Sequence, residues 1–467
     1  MEGGSDRLRV FIPTKDGTRI MERSVKKIDL SKLSIAFTEK SLCTRCGTCV
    51  GVCPEKALKI GEDFYPELIP DRCTECGLCK ETCPGGKVEY LDLAEITFGK
   101  REDAGAFDGH VEKTFMGYSN DERIRAGGAG GGVITGLLWS LLKNKVVDGC
   151  VVTRMNPERP WEGEVYIART YDELLQSQQS KYIIIPVNRI LQELKELPGR
   201  YAVAALPCQI HGLRLYSRKE AWVNEKIYTI IGLFCASSME PYVSTEMLET
   251  RGIKPEEISN FGFRDGEWPG YIRAYLKGRE EPVHLHHSNF KDGAINYLTY
   301  LYSPARCQTC VDGSGEFSDI SVSDAWTRDQ AGRYMFQGQS KMLVRTTRGR
   351  EVVRQAMEAG DLIAEDVTDN PQFKTHRLHT VKKGLNNYLR TDRWRAKGIP
   401  APLYDRPTPE NDFRDRMNER LESLAMWMGR KRWRRYPLFR FLTSRWGVPI
   451  IKVRQWIKSR KYRGTAK

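Results

Sequence analysis

The sequence predicts an α/β protein: a small α+β, cysteine-rich unit, then a larger α/β domain, then a helical and basic C-terminal extension. Three observations carry that prediction. One cysteine spacing occurs twice between residues 43 and 84. From about residue 133, apolar strand-like runs alternate with amphipathic helical patterns. From Gly429 to Lys467 there are fourteen Lys and Arg and no Asp or Glu, so this tail carries all of the net charge of +14 and the body ahead of it is near neutral. At 467 residues and 40% hydrophobic content, the chain is long enough for more than one cored domain.

Residues 1–36 read as an N-terminal extension with one short strand around Leu8 to Pro13. Residues 37–92 hold Cys43-x-x-Cys46-x-x-Cys49-x-x-x-Cys53-Pro54 and, 30 residues on, Cys73-x-x-Cys76-x-x-Cys79-x-x-x-Cys83-Pro84. This is the bacterial ferredoxin pattern for a pair of 4Fe-4S clusters. The first three cysteines of a run take one cube, and the fourth crosses to the other. Cluster I therefore takes Cys43, Cys46, Cys49 and Cys83, and cluster II takes Cys73, Cys76, Cys79 and Cys53. A zinc site wants four ligands, often with His, and no crossed fourth cysteine. Leu58, Ile60 and Val88 are the expected apolar layer over the cubes.

Thiolate-bound clusters need a reducing compartment, which points to the cytoplasm and away from a secreted disulfide scaffold. The start MEGGSDRLRV lacks the apolar core of a signal peptide, and no run of about 18 apolar residues predicts a spanning helix.

Glu95 to Ile124 reads as a linker. Five of the six residues from Gly127 to Gly132 are glycine, and an amphipathic helix follows with Val133, Leu137, Leu138, Leu141 and Leu142. A glycine loop feeding a helix N-terminus suits a phosphate, and a flexible loop is the plain alternative. Ser180-Lys181-Tyr182 leads a strand-like run of isoleucines. The strands Tyr201 to Leu206 and Ile227 to Phe234 end at Cys208 and Cys235, at the edge where open α/β sheets build their sites. Cys307-x-x-Cys310 comes later. These four cysteines are open to three readings: buried core residues, a redox disulfide, or a third 4Fe-4S site. A chain already built for clusters favours the third. Cys150, mid-strand, belongs to the core.

Gly128-Ala-Gly-Gly-Gly-Val-Ile-Thr135, Ser180-Lys181-Tyr182, Pro207-Cys208-Gln209, Phe234-Cys235, Cys307-x-x-Cys310 and Asp319-Ile-Ser-Val-Ser-Asp-Ala-Trp326 occur in order. Together, over about residues 37–375, they resemble the family of beta subunits of coenzyme F-420 hydrogenase and dehydrogenase, which also includes reductases of chlorophyll intermediates such as 7-hydroxymethyl chlorophyll a reductase. The resemblance implies that residues 93–375 form an FAD-binding domain. Gly128, Gly130, Gly131, Gly132 and Thr135 would meet the FAD diphosphate. Ser180, Lys181 and Tyr182 would lie near the flavin, and Cys208, Cys235, Cys307 and Cys310 would hold the proximal cluster. Two positions depart from the family pattern: Gly130 stands where Ser is usual, and Ala236 where His is usual. Arg264 and Trp268 are placed near substrate or flavin, and His284, His286 and His287 on a surface strand.

The implied function is an FAD- and iron-sulfur-dependent oxidoreductase. It would pass electrons between a hydride donor, reduced coenzyme F-420, and a one-electron partner. The alternatives are a ferredoxin-dependent reductase of an organic substrate, or a non-catalytic electron-transfer subunit of a larger complex. Coenzyme F-420 is anionic, so a cationic mouth is expected, with Lys181, Arg264 and Arg306 as its residues. Residues 376–467 form the basic, aromatic-rich extension. Prolines 400, 402, 407 and 409 mark a linker, and Asn411 to Met428 a helix capped by Asn411 or Asp412. Beyond it, basic residues interleaved with Trp and Phe suit docking to a partner subunit or peripheral contact with the cytoplasmic membrane face, and not nucleic acid.

Overall fold

The computed structural model describes residues 7–13, 20–105, 107–326, 333–370, 380–453 and 456. Strands β1 (Arg7–Pro13) and β2 (Ile20–Lys26) pair antiparallel, so the N-terminal extension holds two strands where one was expected. The doubled cysteine motif folds as expected into two similar halves. Helix α1 (Thr48–Gly51) follows the first loop, and α2 (Leu78–Glu81) the second. Between them β3 (Leu58–Ile60) pairs with β4 (Pro66–Leu68). Strand β5 (Lys87–Val88) and helix α3 (Tyr90–Phe98) close the unit. Leu58 and Val88 are buried and Ile60 half-buried.

The larger domain is built on an eight-stranded mixed sheet. Its strands are β6 (Lys113–Ser119), β7 (Gly149–Met155), β8 (Gly163–Ala168), β9 (Tyr201–Ala205), β10 (Ile227–Leu233), β14 (Ile320–Asp324), β15 (Ser340–Val344) and β16 (Leu362–Asp366), in the order β16-β6-β15-β14-β10-β9-β7-β8. β7, β9, β10 and β14 run parallel in the middle, and antiparallel strands flank them. The central strands read as near-continuous apolar runs because both sheet faces are covered. Helix α4 (Val133–Lys143) covers one face with Leu137, Leu138 and Leu141. Helix α5 (Pro207–Ser217) packs Ile210 and Leu213 into the other core. A smaller sheet of β11 (Ile258–Asp265), β12 (Tyr271–Leu276) and β13 (Val283–His284) adjoins it.

Two sequence expectations change here. The segment read as a linker contains β6, an inner strand of the sheet, whose Phe115 and Met116 pack on opposite sides. The isoleucine run Ile183 to Ile185 is buried but does not enter the sheet; its one bridge among the described residues joins Ile183 to Met239.

The cysteine unit is not a separate bead. Val50, Val52, Ala57 and Leu58 share one core with Leu191, Ile210 and Leu213. A Cβ on Gly51 would fall 1.9 Å from the Asn188 carbonyl oxygen, so only glycine permits this approach. The C-terminal extension is bound in as well. β17 (Leu403–Tyr404) pairs with β5. Helices α6 (Asn387–Ala396), α7 (Phe413–Gly429, capped by Asp412) and α8 (Arg432–Thr443) follow one another along the body. Arg435 on α8 is buried and makes a bidentate pair with Glu246, at 2.6 and 3.0 Å. The tail read as a basic appendage is thus partly built into the fold.

Candidate metal centres and the glycine loop

Both cysteine loops turn through left-handed backbone at matching positions: Arg45 and Glu75 (φ 56° and 58°), then Gly47 and Gly77 (φ 84° and 81°). Such turns aim successive N–H groups and thiols inward. The Ala57 N–H donates to Cys53 Sγ at 3.2 Å and the Arg45 N–H to Cys43 Sγ at 3.4 Å. A small pocket has Cys53, Cys73, Cys76 and Cys79 in its wall, the crossed set expected for cluster II, with Leu33 and Leu58 as apolar lining. The Cys49 thiol faces Cys46, Cys83 and Cys43, the set expected for cluster I. Burial pushes the Cys43 thiol up to about 12, and Cys79 and Cys83 up to about 11, with neighbouring thiols adding to the rise. An apolar nest that resists thiolate until a cationic core enters fits a metal cluster. All thirteen cysteines are free thiols.

The second cysteine group also converges. Cys208 opens α5 directly after β9, and Cys235 follows β10, so parallel neighbours bring both to one sheet edge. Cys307 and Cys310 flank a tight turn. The Cys208 thiol is driven far up by burial and then by Cys46, Cys310, Cys307 and Cys235. Cys46 belongs to the set expected for cluster I, so the two groups adjoin. Their backbones are tied there: the Asn188 N–H donates to the Cys46 carbonyl at 3.0 Å, and its side chain to Thr48 Oγ1 at 2.9 Å. Cys150 lies in β7, fully buried and apart from these groups, as core.

Under the group sits Asp312, fully buried. Its carboxylate pairs with His211 Nε2 at 2.8 Å and accepts from the Ser314 and Gly315 N–H groups. Burial opposes its charge, but His211 and those donors hold its pKa below the usual range.

The glycine loop packs against the ends of β6, β14 and β15. The Gly131 N–H donates to Ser340 Oγ at 3.0 Å, and the Ser119 N–H to the Gly131 carbonyl at 2.7 Å. Arg264, buried, donates to the Ala129 carbonyl and pairs with Asp324 at 2.6 Å. Gly132 sits at φ 69° and caps α4, whose first-turn N–H groups at Val133, Ile134 and Thr135 have no partner within the helix. Tyr182 stacks on Phe290 at 4.4 Å, near Arg264. Several buried polar atoms here lack a protein partner: Gln179 Oε1, whose amide nitrogen donates to the Gly127 carbonyl, Trp268 Nε1 and Ser323 Oγ. Partnerless polar atoms around a helix N-terminus fit a polar ligand such as a dinucleotide.

The three expected mouth cations are otherwise engaged. Lys181 encloses its ammonium among the carbonyls of Ser177, Gln178 and Gln179, and burial lowers its pKa to about 7. Arg264 is neutralised by Asp324. Arg306 is buried and donates to the carbonyls of Gly85 and Pro84, beside Cys83. It stitches the two cysteine groups together. His286 is buried as well, with burial lowering its pKa to about 4, while His284 and His287 are exposed. The sequence carried no signal for Asp312, for the stitching role of Arg306, or for Lys383, a buried lysine of the extension whose ammonium faces the Cys310 thiol.

Comparison with known proteins supplies the decisive match. Residues 114–192 and 199–370 match the N-terminal and C-terminal parts of the coenzyme F-420 hydrogenase/dehydrogenase beta subunit, and residues 42–87 match a 4Fe-4S dicluster domain. The chain belongs to the family of coenzyme F-420 hydrogenase/dehydrogenase beta subunits. It is an oxidoreductase-family protein with an iron-sulfur electron-transfer unit. A coenzyme F-420-dependent sulfite reductase of Methanocaldococcus jannaschii is 27% identical over 77% of this chain, which spans about half (53%) of that enzyme. A component of the F(420)H(2) dehydrogenase of Methanosarcina mazei is 29% identical over 74% of this chain and 91% of its own length. A chain of the xenon-derivatised F-420-reducing NiFe hydrogenase complex of Methanosarcina barkeri superposes with a TM-score of 0.48 at 20% identity, covering 63% of this chain and 96% of that one. Among the described residues, no helix is long and apolar enough to cross a membrane.

Proposed function

We propose that this chain passes electrons between reduced coenzyme F-420 and a one-electron partner, as the electron-entry subunit of a larger redox assembly. It would do so with an FAD at the glycine loop and three 4Fe-4S clusters on the cysteine groups described above. The observation that carries this reading is the adjacency of Cys208 to Cys46, because it makes the cysteine groups continuous from the sheet edge to the exposed Cys76. The named functions of the relatives support coenzyme F-420 as the donor. FAD, when bound, converts between a two-electron hydride and single electrons, which a cluster takes one at a time.

The residues around it have separable tasks. The first-turn N–H groups of α4 and the glycine loop bind a diphosphate. Arg264 and Asp324 hold that loop by the Ala129 carbonyl, and Tyr182 and Phe290 give a stacked aromatic wall. Residues 37–92 act as the outer electron port, 93–375 as the flavin unit and 376–467 as a brace and docking face. The docking face presents Trp427, Trp433 and Trp446, all exposed, to a partner subunit.

The test is anaerobic purification of the full chain, iron and flavin analysis, then reduction followed by absorbance. Bleaching by reduced coenzyme F-420 is expected. Bleaching by reduced ferredoxin alone, with coenzyme F-420 inert, would replace this reading with that of a ferredoxin-dependent reductase. A preparation that binds no FAD would refute both.

A further inference from the structure

The turn that carries Cys307 and Cys310 has four main-chain carbonyls, and every one is held by a side chain from beyond residue 380. Asn387 Nδ2 donates to the Cys310 carbonyl at 2.7 Å and to the Cys307 carbonyl at 3.3 Å. Arg390, 0% exposed, donates to the Gln308 carbonyl at 2.7 Å. The Tyr404 hydroxyl donates to the Thr309 carbonyl at 2.7 Å, and Thr391 Oγ1 adds a 3.4 Å bond to the same oxygen. None of these donors lies within the residues that match the family, which end at 370.

One turn of helix earlier, Lys383 is 2% exposed, with its ammonium facing the thiols of Cys310, Cys235 and Cys307. Gly384 fixes its place. A Cβ there would fall 1.7 Å from the Phe107 ring, so the backbone lies against that ring as only glycine can. Asn386, also 2% exposed, has an amide donor with no partner among the described residues. The clamp is anchored behind. Arg390 reaches Ser423 Oγ at 3.0 Å and Glu422 at 3.2 Å, and Arg393 makes a bidentate pair with Glu419, all on α7.

We infer that residues 383–404 are a built-in wall of the third cysteine site, in which Asn387, Arg390 and Tyr404 position the Cys307–Cys310 turn and Lys383 places a fixed positive charge against its thiols. This rests on reading that site as a cluster site. A cluster held by four thiolates carries net negative charge, and reduction adds one more. A buried cation beside these thiols favours the reduced state, so Lys383 raises the potential of this cluster relative to the same site without it. The buried carbonyls would repel the same negative charge. Turning them toward Asn387, Arg390 and Tyr404 satisfies them and fixes the turn.

The test uses full-length protein purified anaerobically, with iron counted per chain and a redox titration followed by electron paramagnetic resonance. Lys383→Met is expected to keep full iron while one of three cluster signals moves to lower midpoint potential, and Lys383→Arg to return it toward the wild-type value. Full iron with all three potentials unchanged in Lys383→Met would overturn the role of the charge. Tyr404→Phe, a milder change, is expected to release about four irons to a chelator several-fold faster than wild type, with the rest unaffected. Unchanged release would overturn the clamp, and so would equal acceleration of all irons. Should Lys383→Met not load iron, the Lys383→Arg potential and the Tyr404→Phe release rate still decide the matter. Wild-type protein with about eight irons refutes the third cluster itself, and that failure is distinct because it needs no variant.

Discussion

Gly130→Ser would install the residue that the family resemblance leads one to expect, and the structure predicts that it weakens the flavin site. A Cβ at position 130 would lie 2.4 Å from Asp324 Oδ1, a distance real side chains do not adopt. The carboxylate must retreat by about 1 Å to reach ordinary contact. Asp324 is held by Arg264 at 2.6 Å, and Arg264 in turn holds the loop at Ala129. With an effective dielectric of about 20, stretching that pair from 2.6 Å to about 3.6 Å forfeits about 2 kcal/mol of attraction. If that whole loss falls on ligand binding, FAD affinity falls by about 30-fold, since about 1.4 kcal/mol is a factor of ten. The assay is quenching of flavin fluorescence on titration of FAD with flavin-free protein. Gly130→Ser is expected to bind more weakly, and the double variant Gly130→Ser with Asp324→Ala to relieve the clash without restoring the Arg264 pair. Wild-type or tighter binding by Gly130→Ser would refute the reasoning, because the carboxylate would then have moved at no cost to the loop.

Four further outcomes follow from the geometry. Replacing Cys307 and Cys310 by Ser is expected to remove about one cube of three, read as iron per chain, with the paired-cluster signals kept. The buried thiols bear on pH. Their folded-state pKa values, about 11 for Cys79 and Cys83 and about 12 for Cys43, lie above the ordinary 9.0, so their contribution is complete below pH 9 and is lost as pH rises through 11 to 12. Cluster-free protein should lose melting temperature across that window more steeply than loaded protein, in which iron holds the thiolates. Gly51→Ala forces a methyl into the Asn188 carbonyl and should cost about 1–3 kcal/mol, seen as a lower melting temperature with all cysteines intact. Exposed Trp433 and Trp446 can be changed to Ala without touching the Arg435–Glu246 pair, and co-purification of a partner subunit should fall while iron and flavin content stay.

What the sequence made legible was what repeats or alternates. Two cysteine runs of one spacing predicted two similar loops, because a cube dictates where its ligands stand along a chain; the matching left-handed turns came only with the structure. The strand ends at Cys208 and Cys235 could be placed because apolar runs stop where a buried sheet stops. Charge pairing left no such trace. Arg264, Lys181 and Arg306 were read as free cations, yet Asp324 lies 60 residues from Arg264, and the carbonyls that occupy the other two have no signature in side-chain identity. Strand β6 was hidden because Lys113, Gly117 and Ser119 dilute its apolar pattern. The extension was misjudged for the opposite reason. Its composition is dominated by exposed arginine, while the few buried residues that fix it, Lys383, Arg390 and Arg435, are of the same chemical kind as the exposed majority.

The clamp over the Cys307–Cys310 turn also has a consequence in time. A ribosome delivers Cys208, Cys235, Cys307 and Cys310 well before Lys383, Asn387 and Tyr404. Until the later residues emerge, the turn has none of these donors, so its final shape is set by the part of the chain made last: α6, anchored on α7, and Tyr404.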